Sequence, residues 1–398
     1  VATSPLKSGH QIELLEGGHQ FFPALLNSIE SACHEIRLET YIFHFDASGC
    51  AVAAALIQAA RRGVQVYVVV DGVGSPDLPA HWAEQFKQSG VQWHAFSPLG
   101  WLGYLLPMRW RRLHRKLCIV DQQILFCGGI NILDDHTDPN HGTLATPRFD
   151  FAVRVQGPLV QEAHRLQVQF WTRLQRTAGL PNRHHQTAKP RDQMSQRSPL
   201  SSTATPPAML AGLVLRDNFL HRTRIERAYR KAIAEAKHEI LIANAYFLPG
   251  RKIRKALLHA VQRGVKVQLL VHGKYEYFMQ YHAARPIHHA LLSAGIEIYE
   301  YSSGFLHAKV AVIDQNWATV GSSNLDPLSL LLAREANVVV QNRTFAHTLR
   351  QSLLAAMQDH GKKMQPDAHA HRPLLQRILD RIAYSLMRLS LFLTGKRY

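Results

Sequence analysis

Cysteine is scarce: Cys33, Cys50, Cys118 and Cys127 are the four in 398 residues, with no CxxC pair and no zinc-ligand spacing. Neither a disulfide framework nor a zinc site is supported, and a reducing, cytoplasmic compartment fits best. Cys118 and Cys127 sit inside apolar runs and read as core thiols. Acidic residues are also short, 29 against 46 Lys and Arg, a net charge of +17. That imbalance calls for an anionic partner: nucleic acid, an anionic membrane surface or a phosphorylated substrate. No uncharged apolar run approaches the roughly 18 residues of a membrane span, so none is expected. No signal-peptide pattern is visible after Val1. What is present is a 46% hydrophobic composition, enough for substantial cores in two to three domains.

Self-comparison reveals one long repeat. Residues 33–43 (CHEIRLETYIF) resemble 237–247 (KHEILIANAYF), 61–70 (RRGVQVYVVV) resemble 262–271 (QRGVKVQLLV), and 89–93 (SGVQW) resemble 294–298 (AGIEI). In each copy an apolar strand-like run (36–43; 240–247) precedes a helical stretch (50–62; 251–263) that stops at Gly63 or Gly264. Glycine there suits a helix C-terminus. A second apolar run follows (64–70; 265–271), then another helix and strand. Strands alternating with helices predict an α/β fold with mixed or parallel sheets covered on both faces. The expected organisation is an N-terminal domain over 1–175 and a flexible linker over 176–207. A C-terminal domain follows over 208–360, then a basic tail over 361–398. The linker carries Pro181, Pro190, Pro199, Pro206 and Pro207 among polar residues. Each repeat is expected to bury its own core.

The chemistry sits in His-x-Lys-x-x-x-x-Asp, present as His114, Lys116 and Asp121 and again as His307, Lys309 and Asp314, 193 residues later. Each copy leads, at the same interval, to a glycine-led turn ending in Asn131 or Asn324. Each is then followed by a carboxylate in an apolar run, Asp150 or Glu335. In a strand, residues i and i+2 share a face, so each His pairs with its Lys. Asp121 and Asp314 fall where one strand ends and the next begins, and their first role is to fix the turn and local charge. Asn131 and Asn324 can donate amide hydrogens to an anion. Two His, two Lys and two Asn suit a phosphodiester. One neutral imidazole attacks phosphorus, the other as imidazolium protonates the leaving oxygen, and lysines and amides stabilise the developing charge. No metal and no other cofactor is required. A carboxylate behind each His would fix its tautomer. One such motif could be chance; two at equivalent places of a repeat are hard to explain so.

These paired motifs resemble the phospholipase D (HKD) superfamily over nearly the whole chain. Residues 38–43, 71–78, 244–250 and 321–330 are similar to bacterial cardiolipin synthases, most closely the B type. The resemblance implies two phospholipase D-like α/β/α sandwich domains with mixed central sheets. They would be related by a pseudo-twofold, with one active site at their interface. It implies a phosphohistidine intermediate, with His114 as nucleophile and His307 as general acid, then base. The motif residues Lys116, Asp121, Lys309 and Asp314 complete the catalytic set. The supporting carboxylates would cross over, Glu335 to His114 and Asp150 to His307, with Ser322 in the same supporting set. The implied reaction is phosphatidyl transfer. Phosphatidylglycerol or phosphatidylethanolamine donates, and a second phosphatidylglycerol accepts to give cardiolipin.

Two segments fit a bilayer substrate. The first, 100–112, sets Trp101, Tyr104 and Trp110 beside Arg109, Arg111 and Arg112, a composition suited to the headgroup boundary. The second is the tail, where Leu375, Ile378, Leu379, Ile382, Leu386, Leu389 and Leu393 mark one helical face among arginines. Self-docking of that helix is an even alternative. The expected location is peripheral on the cytoplasmic face of the inner membrane, on an anionic lipid surface, with no nucleic acid. The rivals are a hydrolytic phospholipase D, since water can take the same intermediate, and an HKD-type nuclease, since +17 also suits a polyanion.

Overall fold

The computed structural model describes residues 6–75, 77–99, 110–178, 209–217, 221–273, 278–326, 333–366 and 373–393, with only the backbone at 177–178, 278–280 and 388–393. Almost all of the expected linker lies outside these residues, as do Trp101, Tyr104, Arg109 and the side chains of Leu389 and Leu393.

The first half runs β1 (Lys7–Glu16), α1 (Gly17–Glu30), β2 (Glu35–Thr40), α2 (Ala47–Arg61), β3 (Gln65–Asp71), α3 (Ala80–Ser89) and β4 (Gln92–Phe96). It continues with β5 (Arg112–Leu113), β6 (Lys116–Val120), β7 (Ile124–Gly128), a small hairpin of β8 (Thr137–Asp138) and β9 (Gly142–Thr143), β10 (Phe151–Gln156) and α4 (Pro158–Ala178). The second half repeats the plan: β11 (Met209–Arg216), α5 (Arg224–Glu235), β12 (Glu239–Asn244), α6 (Arg251–Gln262), β13 (Lys266–His272), α7 (Phe278–Ser293) and β14 (Glu297–Tyr301). Then come β15 (Lys309–Ile313), β16 (Trp317–Gly321), β17 (Ala333–Gln341), α8 (Arg343–His360), β18 (Gly361–Lys363) and α9 (Leu374–Leu393).

Strand order outward from the centre is β1-β10-β7-β6-β2-β3-β4 on one side and β11-β17-β16-β15-β12-β13-β14 on the other, the same sequence of equivalents in both directions. Strands β2, β3 and β4, like β12, β13 and β14, run parallel, and the inner strands run antiparallel. The sheet is therefore mixed in each half. The halves join where β1 pairs antiparallel with β11.

Local chemistry explains the elements. β6 and β15 are buried on both faces, which is why they read as unbroken apolar runs. Helix α2 begins earlier than its apolar periodicity suggests, because the Asp46 carboxylate accepts the Gly49 N–H at 2.9 Å as an N-cap. Gly63 and Gly264 take φ of +93° and +85° at the ends of α2 and α6, a conformation that costs other residues energy.

Each half has an apolar core of its own, beneath α1–α3 in the first and beneath α5–α7 in the second. A third core is shared. It packs Leu117 and Ile119 of β6 with Val310 and Val312 of β15, under Ala163 of α4 and Leu349 and Leu353 of α8. The expectation of two self-sufficient cores therefore needs correcting. Alternate strand residues face opposite ways, and the inward set of each half packs against that of the other as well as beneath α4 or α8.

The expected tail boundary also shifts. Gly361–Lys363 form β18, which covers the edge of β14. Helix α9 docks on α7 through buried Asp380, Ala383 and Met387, and its Asp380 carboxylate lies 2.6 Å from His282 Nδ1. Its opposite face leaves Leu374, Leu375, Ile378, Ile382 and Leu386 exposed, from 49% to 73%. Docking and an exposed apolar stripe thus coexist on one helix.

Candidate active site

His114 follows β5, and Lys116 is the first residue of β6; His307 and Lys309 hold the same places before and at the start of β15. Each histidine is fixed by a strand that crosses to the other half. β5 pairs in parallel with the start of β17, Arg112 against Ala333 and Leu113 against Arg334. His114 N–H then donates to Arg334 O at 3.0 Å. In the second half Leu306 bridges Phe149, and His307 N–H donates to Phe149 O at 2.9 Å. The residue that accepts from each histidine backbone stands immediately before the carboxylate that meets its ring. His114 Nδ1 lies 3.1 Å from Glu335, and His307 Nδ1 lies 2.6 Å from Asp150. The carboxylates cross between halves, each reaching the other half's histidine. This arrangement leaves Nε2 of both rings without a protein partner among the described residues.

The two lysines are buried, and each donates Nζ to the carbonyl of its own histidine, at 2.6 Å for Lys116. Tyr41 borders them, its ring 4.9 Å from that of His114 and 5.4 Å from Lys116 Nζ. Burial and then neighbouring charge shape the titration. Burial lowers Lys116 to about 7, with Lys309 adding to the effect against Glu335 and Asp150. Burial raises Asp150 to about 7 against the pull of Lys309 and Lys116. His114 is lowered by burial, opposed by Glu335. His307 is driven well below its ordinary value by burial, then by Lys309, Lys116, Arg148 and His114. Each histidine feels the other half's lysine, so both motifs belong to one electrostatic site. A phosphodiester anion placed there would favour the charged forms of the lysines and histidines that burial and mutual repulsion disfavour.

Ser322 Oγ donates to Glu335 at 2.5 Å and accepts the Ala336 N–H at 3.1 Å. Its equivalent, Gly129, has no room for a side chain: a Cβ would stand 2.2 Å from Asp150 Oδ1. The longer Glu335 meets a serine, and the shorter Asp150 meets bare backbone. Asn131 and Asn324 are buried beside these turns. Asn131 Oδ1 accepts the Ile42 N–H at 3.1 Å, so the group it can offer an anion is its NH2. Asn324 Oδ1 is buried without a partner among the described residues.

Three expectations are corrected. Asp121 and Asp314 do not join the histidines. They lie at the far ends of β6 and β15, at φ of +49° and +50°. Asp121 accepts the N–H groups of Cys33, His34 and Glu35 at 2.7 to 2.8 Å, and Asp314 those of Lys237, His238 and Glu239 at 2.7 to 3.0 Å. Both clamp a turn, the first role expected of them, at the strand ends away from the histidines. Arg112, expected at the lipid boundary, turns inward: Nη1 bonds Asp71 Oδ1 at 3.0 Å and Nη2 bonds Ser97 O at 3.1 Å. Of the other expected boundary residues within the described set, Trp110 is exposed and Arg111 is half-buried.

Asp71 is the residue sequence reasoning missed. Fully buried at the end of β3, it also accepts the Leu113 N–H at 2.7 Å and so anchors β5 just before His114. Its signal was a carboxylate ending a β-branched run before Gly72. Among the described residues no group of three or more His, Cys, Asp or Glu is placed to hold a metal.

Comparison with known proteins agrees over most of the chain. A family model described as "Cardiolipin synthase, PLD-like domain" matches residues 25–147 and 229–357. Cardiolipin synthase B of Salmonella typhi is 41% identical over 347 residues, 87% of this chain and 80% of that protein. The protein of the same name from Escherichia coli (strain K12) is 38% identical over the same extent. In fold, phosphatidylserine synthase of Haemophilus influenzae Rd KW20 superposes with a TM-score of 0.68 over 98% of this chain and 95% of that one, at 13% identity.

Proposed function

The chain belongs to the cardiolipin synthase family of phospholipase D-like enzymes, and we propose that it makes cardiolipin by phosphatidyl transfer through a covalent phosphohistidine. The observation that carries this reading is the pair of histidines held at Nδ1 by buried carboxylates from opposite halves, with both Nε2 atoms left for chemistry. Phosphatidylglycerol binds with its phosphate between Lys116 and Lys309, beside Asn131 and Asn324. His114 Nε2 attacks phosphorus while the His307 imidazolium gives its proton to the leaving glycerol oxygen. The P–O bond breaks, and the phosphatidyl group is held on His114. The hydroxyl of a second phosphatidylglycerol then gives its proton to His307, and its oxygen attacks phosphorus. The P–N bond breaks, cardiolipin forms and both histidines return to their starting state. Phosphatidylethanolamine can replace the first lipid, with ethanolamine leaving. Entry of the anionic phosphate offsets the lysine charges that depress His307, which restores its capacity to hold the proton.

One observation favours the reverse order. His307 is depressed further than His114, and Glu335 supports a cation on His114. Reactions quenched with denaturant at alkaline pH, where the P–N bond survives, distinguish the two. With His114 as nucleophile, His307→Ala accumulates a phosphatidyl adduct on the peptide containing His114; an adduct on His307 in His114→Ala reverses the roles.

The protein is proposed to work peripherally, on the cytoplasmic face of the inner membrane. Among the described residues no helix is long and apolar enough to cross a bilayer, and the outer stripe of α9 offers apolar contact. Incubating the protein with phosphatidylglycerol, with and without phosphatidylethanolamine, and weighing the products by mass spectrometry tests the reaction. Cardiolipin is expected. Phosphatidic acid alone would point to hydrolysis, and DNA cleavage without lipid product to a nuclease.

A further inference from the structure

Helices α5 and α6 pack side by side over the second-half sheet and leave between them an open groove of about 660 Å³. Arg227, Arg230 and Lys231 line it from α5, and Lys252, Lys255 and His259 from α6. No carboxylate is among its lining residues, and the one beside them, Glu235, lies 4.0 Å from Lys231 Nζ, exposed at the end of α5. All but Arg230 are exposed, so none is there to pair a buried charge.

The fold does not require this charge. The equivalent helices of the first half, α1 and α2, perform the same packing, yet α1 carries only His19 and Glu30 as ionisable residues and α2 only Cys50 and Arg61. The arrangement also opposes the local electrostatics. Like charges face one another across the groove, and Arg251 and Lys252 occupy the first turn of α6, the end at which a helix disfavours cations. A charge pattern absent from one repeat and unfavourable in the other points to a ligand that neutralises it.

We propose that this groove is a second, non-catalytic anion site that takes phosphodiester headgroups presented by an anionic bilayer. The bilayer is favoured as the source because α9, packed on α7, contributes to the same apolar core as α5 and α6 and turns Leu375, Ile378, Ile382 and Leu386 outward. A basic groove and an exposed apolar stripe over one core match headgroups and acyl chains together. The choice of lipid rests on the phosphatidyl-transfer reading; the existence of the site does not.

The test uses the full chain and the triple variant Lys231→Gln, Lys252→Gln, Lys255→Gln, with partitioning measured at low salt on two kinds of vesicle. One contains phosphatidylglycerol in phosphatidylcholine, the other phosphatidylcholine alone. Each basic residue near an anionic surface is worth roughly fivefold in affinity, so about a hundredfold loss on phosphatidylglycerol vesicles is expected. Affinity for phosphatidylcholine vesicles, and turnover of short-chain phosphatidylglycerol below its micelle concentration, stay unchanged. Unaltered partitioning on anionic vesicles overturns the proposal, as does an equal loss on both vesicle types. A parallel loss of turnover on the monomeric lipid would assign the lysines to the fold. Displacement by inorganic phosphate beyond that of chloride at equal ionic strength would make free phosphate the ligand. A hundredfold loss of duplex DNA binding without change on vesicles would make it nucleic acid. Partitioning needs no turnover, so a failure to form cardiolipin bears on the catalytic reading alone.

Discussion

Replacing Asp121 by Asn separates the structural from the catalytic part of the repeated motif. The carboxylate accepts three backbone N–H groups, Oδ2 from Cys33 at 2.7 Å and Oδ1 from His34 and Glu35 at 2.8 Å each. Asparagine tolerates the left-handed backbone at φ +49°. It keeps one oxygen for His34 and Glu35, at neutral rather than charge-assisted strength. Its NH2 then faces the Cys33 N–H, donor against donor. Charge-assisted bonds contribute about 1.5–3 kcal/mol each when buried. These donors lie at the surface and can turn to water, so the net loss is about 2–3 kcal/mol for the set. Alanine should cost about 1 kcal/mol more, because it also pays for the left-handed backbone. Urea unfolding measures the stability, and cardiolipin formation at 25 °C measures the chemistry. The expected result is a lower midpoint with kcat/KM within twofold of the parent. A tenfold fall in kcat/KM at unchanged midpoint would refute the placement of Asp121 outside the site. Asp314→Asn should behave alike, with a pH signature. Burial raises the Asp314 carboxyl, but the N–H groups of Glu239, Lys237 and His238 prevail and hold it below its ordinary value. A depressed folded value means stability that is present above about pH 4 and lost as pH falls through that folded value. The variant should therefore lose less stability than the parent on acidification below about pH 4.

Gly129→Ser places a Cβ 2.2 Å from Asp150 Oδ1 and should displace the carboxylate from His307, cutting kcat by more than about tenfold; Ser322→Gly, which removes a donor from Glu335 and an acceptor from the Ala336 N–H without crowding the carboxylate, should cost less, and equal losses would contradict the geometry. Arg334 stacks over Phe170 at 4.7 Å and Phe96 at 5.9 Å while its carbonyl holds His114. Arg334→Ala should lower kcat about tenfold with KM little changed, and Arg334→Lys should restore part of the loss at most, since lysine lacks the planar group; a change in KM alone would deny the residue a positioning role. Ile378→Ser, Ile382→Ser and Leu386→Ser together should weaken vesicle binding without lowering thermal stability, because these side chains face outward. Removing the whole helix would be a poorer test, since Ala383 and Met387 cover α7.

The sequence made the repeated parts of this molecule readable. Strand alternation alone places His114 with Lys116 and His307 with Lys309, and the glycine after each first helix marks where the chain turns. What escaped it depends on contacts between distant segments. Arg112 looks like a boundary arginine beside Trp110, and only the pairing of β5 with β17 turns it toward Asp71. Asp121 has the spacing of a catalytic group, yet the reach of β6 from the histidine end to the β2 end carries it away. Asp71 closes an apolar run like many buried carboxylates do, and its importance appears only once Leu113 and Arg112 are found on it. The outer stripe of α9 was legible as periodicity; that the same helix also docks was not, because Asp380 finds His282 across 98 residues.

Duplication alone would give two equivalent histidines, and the proposed reaction needs them to differ. The backbone keeps the symmetry: each histidine N–H meets the carbonyl before a crossed carboxylate. The side chains on the opposite strand face break it. Next to His114, Arg115 is buried against Glu39, Nη2 to Oε1 at 3.0 Å, with its guanidinium 5.0 Å from the Phe170 ring. Arg334 shares that ring and is pushed to about 10 by burial and then by Arg115. At the corresponding places beside His307 stand Ala308 and Ala243, and Phe149 stacked at 5.4 Å on Tyr301. Arg115, Arg334 and Arg173 thus stand there with the carboxylates of Glu39 and Asp217. At the His114 ring itself, burial comes first and then the Lys116 and Lys309 cations disfavour protonation. Glu335 pulls the other way, toward a cation on the same ring. On the reading proposed above, a difference between the histidines would trace to Glu335, where the first repeat has Asp150, and to the Arg115–Glu39 pair, where the second has Ala308 and Ala243.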